Sequence, residues 1–128
     1  MLMMQDSSIT PIIGVGSTNT GNAQVVATLA ATAGKTNYLE GFDISGSGAT
    51  AGVAIEVSIA GLSGGTIKYE FAVIAGALLA AFPAPGYISI RFPQPIPASG
   101  VNTAITVTVP AFGAGNTNAA VAAYGFQK

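Results

Sequence analysis

Apolar and polar residues alternate with a period of two along much of this chain. Val53, Ile55, Val57 and Ile59 alternate with Ala54, Glu56, Ser58 and Ala60. In a strand that spacing puts the four branched side chains on one face and Glu56 on the other. The next run repeats it, with Ile67, Tyr69, Phe71 and Val73 set against Thr66, Lys68, Glu70 and Ala72. Gly61-Leu62-Ser63-Gly64-Gly65 between them predicts a hairpin loop. Two registers keep the apolar faces together, one placing Glu56 opposite Lys68 and the other opposite Glu70. Opposite charges across a ladder help and like charges hurt, so the expected register is Glu56 facing Lys68.

Shorter alternating runs follow the same rule. Ile105, Val107 and Val109 alternate with Thr106 and Thr108, and Ile88, Ile90 and Phe92 with Ser89 and Arg91. Between these runs, Pro93, Pro95 and Pro97 remove every second backbone donor, so the segment is expected to be extended and either unpaired or at a sheet edge. The predicted strands are 24–32, 36–45, 52–60, 65–74, 87–92, 102–109 and 119–127. Turn residues cut them at roughly ten-residue intervals, the mark of a sandwich or barrel. Residues 22–33 also have a helical reading, with Asn22 as cap, but strand is preferred. Residues 1–22 carry Pro11, three Gly and a Ser/Thr/Asn run, and read as an extended arm or loop-rich edge. The expected organisation is an arm over 1–22 and one β domain over 23–128.

Composition narrows the function more than the fold. The 128 residues include 23 Ala and 17 Gly, and only 7% are charged, against about 25% in an ordinary domain. With no Cys there is no disulfide and no thiolate zinc site, and with no His there is no imidazole base or Ser-His-Asp triad. Four basic residues and a net charge of -1 argue against nucleic-acid binding. Thr, Ser and Asn supply most of the polar surface, which is easier to desolvate than a Lys/Glu surface. Self-association or burial in a larger assembly is therefore expected. The start lacks the basic region of a secretory signal. The most apolar window, Phe71–Phe82, is too short to span a bilayer and precedes Pro83 and Pro85, so it is expected to be a strand ending in an apolar loop or a short helical turn. The chain is expected to be soluble and made in a cytoplasm.

No motif carries chemistry. The Gly34-Lys35-Thr36 end of a phosphate loop would need a glycine where Leu29 stands, so Lys35 reads as a turn lysine. Gly46-Ser47-Gly48-Ala49-Thr50-Ala51 mimics a dinucleotide fingerprint but precedes a strand, not a helix. Glu40 and Asp43, three apart, fall on opposite faces of a regular strand and form no glycosidase-like pair. A calcium site around Asp43 is disfavoured because no Asp-rich loop exists. Arg91, the single arginine, either anchors an interface or pairs locally with an acid. Catalytic residues, metals and cofactors are all expected to be absent; a lyase or hydrolase using Glu40 or Asp43 is remote.

Three stretches, Ala33–Ile44 with the Gly/Ala/Thr-rich loop at 46–52, Arg91–Ala98 and Phe112–Ala120, resemble small virion structural proteins of tailed bacteriophages. The resemblance spans residues 33–126 and rests on motif order and texture. It implies a β-sandwich of jelly-roll type that decorates or cements a capsid. The implied partner is the major capsid protein, the implied state a homo-oligomer, with a trimer favoured, and the implied location the virion surface. The N-terminal arm would reach a neighbour, with Ile9, Pro11, Ile12 and Ile13 docking there and Arg91 at the interface. A tail, neck or fibre-associated receptor-binding module is the alternative. Neither nucleic acid nor membrane is an expected partner.

Overall fold

The computed structural model describes residues 8–18, 21–47, 49–50, 53–73 and 87–128. Eight strands form: β1 (Thr10–Thr18), β2 (Val25–Leu29), β3 (Asn37–Ser47), β4 (Val53–Ala60), β5 (Ile67–Val73), β6 (Tyr87–Pro97), β7 (Ile105–Val109) and β8 (Asn118–Gln127). Two four-stranded antiparallel sheets, β1-β8-β3-β6 and β2-β7-β4-β5, make an all-β sandwich. Pairing is nested: β1 with β8, β2 with β7, β3 with β6, and β4 with β5. The first half of the chain thus folds back along the second as one long ribbon.

Period-two alternation decides what is buried. Ile55, Val57 and Ile59 enter the core while Glu56 stays out. Ile105, Val107 and Val109 of β7 are fully buried, and Thr106 and Thr108 turn away. Val25, Ala27 and Leu29 do the same on β2, so the stretch with a competing helical reading is a strand. Each fully buried Val, Leu or Ile contributes about 1.5–3 kcal/mol. Leu39, Phe42, Ile44 and Val121 complete the centre from the other sheet.

The expected arm is part of the sandwich from Thr10 onward. β1 pairs with β8 along its whole length, from Thr10 opposite Gln127 to Thr18 opposite Ala119. Two inward glycines make this fit. A Cβ at Gly14 would overlap the Thr28 carbonyl, and one at Gly16 the Val26 carbonyl. Without side chains there, β1 closes against β2 backbone to backbone, sealing one side of the sandwich.

Glu40 interrupts the register of β3. Leu39 faces Ile96 and Gly125, while Gly41 faces Arg91 and Tyr124. This bulge resets the alternation, so Leu39 and Phe42, three apart, both reach the core. It also overturns the expectation that Glu40 and Asp43 point to opposite faces, since both point away from the core. Across the bulge, Phe92–Pro95 has no counterpart but Glu40. Pro93 and Pro95 lie in this unpaired stretch of β6, an edge strand, as the missing donors required.

The β4–β5 register differs from the expected one: Glu56 lies opposite Glu70, and Ser58 opposite Lys68. The loop overrides the charge preference. Leu62 is buried and bridges Ala98, Ser63 N–H donates to the Pro97 carbonyl (2.9 Å), and Ser99 N–H donates to the Gly61 carbonyl (2.8 Å). With Gly61, Gly64 and Gly65 at φ of 87°, 95° and 111°, the turn is fixed from outside the hairpin.

Two asparagines tie the ends of the sandwich. Asn37 is 1% exposed, and its Nδ2 donates to the carbonyls of Leu29 (2.9 Å), Ala30 (3.0 Å) and Thr103 (3.1 Å). At the far end the buried Asn116 Nδ2 donates to the carbonyls of Ser47 and Asn118, both at 2.8 Å. Beyond Val73, the apolar window that was expected to end as a loop or a short helical turn lies outside the described residues.

Candidate functional site

The outer face of the β1-β8-β3-β6 sheet gathers most of the residues singled out by the sequence. Alternation on β1 turns Pro11, Ile13, Val15 and Ser17 outward. Their neighbours on β8 are Phe126, Tyr124, Ala122 and Ala120. β3 and β6 continue the rows with Tyr38, Gly41, Asp43 and Ser45, then Pro97, Arg91 and Ser89. Ile13 is 66% exposed and Val15 73%, the two most exposed large hydrophobic residues among those described. Ile12 turns inward and packs against the chain's own core, and Ile9 precedes the strand. Of the four apolar residues expected to dock on a neighbour, the structure therefore offers Pro11 and Ile13 on the face itself. Val15 joins them; its signal was the alternation across Gly14 and Gly16, which a Gly-rich run obscures.

Arg91 sits at the centre of the opposite half. Its side chain crosses Gly41, where any Cβ would meet the Ile90 carbonyl and the Arg91 Cδ. Beyond Gly41 the guanidinium lies 4.7 Å from the centroid of the Tyr124 ring. Nη1 donates to Asp43 Oδ1 at 2.9 Å and Nη2 to Oδ2 at 3.3 Å, a two-pronged pair. Nη1 also donates to the Ile90 carbonyl at 3.0 Å. Burial pushes the Asp43 carboxyl up, but hydrogen bonds from Arg91, Ser89 and Tyr124 and the guanidinium charge outweigh it. The carboxyl is held below the usual carboxylate value. Both Asp43 oxygens are thus taken by Arg91, which leaves little for a cation. Next to this cluster, Tyr38 and Phe126 stack with centroids 4.8 Å apart and planes 9° from parallel.

At one end the face sinks into an open depression of about 640 Å³, lined by Ser17, Thr18, Ser45, Gly46, Ser47, Asn118, Ala119 and Ala120. Its lining is neutral, with hydroxyls, one amide and methyl groups.

The outer face of the second sheet is different. It carries Glu56, Lys68 and Glu70 among Thr, Ser and Ala, with Val26 the exposed aliphatic residue on β2. Lys68 Nζ reaches Glu56 Oε1 at 2.8 Å, and the hydrogen bond with its charge holds Lys68 above the usual lysine value. Among the described residues, no three His, Cys, Asp or Glu side chains group as metal ligands. Lys35 lies after the Ala33-Gly34 turn and reaches Thr10 Oγ1 at 3.2 Å. No described helix is long and apolar enough to cross a membrane.

The chain matches no family model and no curated protein sequence.

Proposed function

We propose that this protein is a structural component of a virion, a decoration or cement protein that binds and stabilises a lattice of major capsid subunits. One observation carries the reading: charge is sparse among the described residues. Of the eight charged side chains among the described residues, four are consumed in the Arg91–Asp43 and Lys68–Glu56 pairs. Apart from Lys35, Glu40, Glu70 and Lys128, the remaining polar surface is mostly Thr, Ser and Asn, which a partner can cover at little desolvation cost. The nested pairing of β1 with β8 through β4 with β5 is the order that a jelly-roll winding produces, a scaffold found in viral capsid domains. The sequence resemblance to phage virion proteins points the same way.

The mechanism is mass action. A protein that binds the assembled shell and not its free subunits stabilises the shell in proportion to occupancy. No reaction, cofactor or metal enters it.

Quantitative mass spectrometry of purified particles encoding the chain tests this. A copy number near that of the major capsid protein, or a simple fraction of it, is expected. A handful of copies per particle transfers the role to a tail, neck or fibre module, and absence from particles overturns the virion reading.

A further inference from the structure

We infer that the outer face of the β1-β8-β3-β6 sheet is where two copies of this chain pair, face to face. Exposed apolar residues gathered on one sheet face mark a contact surface. Ile13 and Val15, at 66% and 73% exposure, stand beside Tyr124 and Ala122 on β8. Three features select a second copy as the occupant.

Charge is the first. In a two-fold contact the same patch meets itself, so net charge in it meets like charge. Here Arg91 and Asp43 neutralise each other within the face, at 2.9 Å. Glu40, at the bulge, stands near the end where Lys35 and Lys128 also lie, so that end holds both signs. The other outer face meets this condition less well, because Lys68 pairs with Glu56 and leaves Glu70 uncompensated, so a copy would bring carboxylate towards carboxylate.

Relief is the second. Ile13 and Val15 form a ridge on β1, and Ala120 and Ala122 with the 640 Å³ depression form a low strip beside it. A face that carries both a ridge and a trough fits its own inverted copy.

Size is the third. Four strands about 4.8 Å apart and about nine residues long cover roughly 600 Å². Two such faces bury roughly 1,200 Å² in total, the lower end of specific interfaces. A reversible dimer is the outcome, and a face meeting itself gives two-fold symmetry where the resemblance implied a trimer.

The pairing does not depend on the virion role: it stands if particles lack the protein, and particles can carry it as a monomer. Sedimentation equilibrium of the full chain across a concentration series tests it. A monomer–dimer equilibrium is expected. Ile13→Asp with Val15→Asp should raise the dimer dissociation constant at least about tenfold, with circular dichroism unchanged. Should Asp impair folding, Ile13→Thr with Val15→Thr keeps the strand propensity and serves the same purpose. Thr106→Asp, on the other sheet's outer face, should leave the dimer intact. A wild type that stays monomeric or forms a trimer, or folded β1 variants that dimerise as tightly as wild type, overturns the inference.

Discussion

Lys68 reaches Glu56 along the diagonal of the β4–β5 hairpin, at 2.8 Å, while Glu70 occupies the position directly opposite Glu56. The ion pair anticipated from alternation forms, but in a register one pair out of step with the anticipated one. The hairpin tolerates two facing carboxylates because its loop is anchored to Pro97 and Ala98. Replacing Glu70 with Thr removes the like-charge contact and should raise the melting temperature by about 1–2 °C at low salt. The gain should shrink as salt screens the surface. A fall in melting temperature would show that Glu70 stabilises the hairpin by some other contact.

The same pair sets a high-pH dependence. Lys68 titrates above its ordinary value in the folded state because Glu56 accepts its hydrogen bond. Its contribution is therefore complete below the unfolded lysine value of about 10.4 and lost as pH rises through the folded one. The stability difference between wild type and Lys68→Met should stay level to about pH 10 and close above it. Urea unfolding at stepped pH measures this.

Asp43 gives the mirror image in acid. Its folded value is depressed, so its contribution is present above the unfolded value of about 3.9 and disappears as pH falls through the folded one. Asp43→Asn should lie below wild type in stability at neutral pH by about 0.5–1 kcal/mol, since the guanidinium is half-exposed. The two curves should converge as pH falls below about 4. A gap that persists at pH 2 would mean that Asn disturbs packing rather than the ion pair.

What was legible in the sequence divides by range. Alternation at 55–59, 67–71 and 105–109 picks out the side chains that face the core, because a strand's two faces follow from local geometry alone, although Val53 at the start of β4 stays 40% exposed. The prolines at 93, 95 and 97 place β6 at an edge for an equally local reason. The Arg91–Asp43–Tyr124 cluster was not legible. Its members lie far apart in sequence and meet only because Gly41 leaves room between β6 and β8. The bulge at Glu40 was hidden too, since one extra residue looks like any other until both neighbouring strands are in place. β1 was read as an arm because Gly14 and Gly16 are poor strand formers in isolation. Their purpose is tertiary: they admit the backbone of β2.

The last point yields the sharpest test. If residues 1–18 were an arm, deleting them would leave a folded domain. In the structure the deletion removes an edge strand paired along all of β8 and uncovers β2 beside it. The truncated chain should lose cooperative unfolding and aggregate through the exposed β8 edge. A single substitution isolates the cause. Gly16→Val places a side chain against the Val26 carbonyl, where the only relief is for β1 to move away from β2. It should cost about 2–4 kcal/mol. Ser17→Val, one residue on and facing outward, should change stability by less than about 0.5 kcal/mol. Equal effects at the two positions would place β1 outside the sandwich. A large loss at Gly16 alone confirms that the glycines, silent in the hydrophobic pattern, are what bind the first strand to the fold.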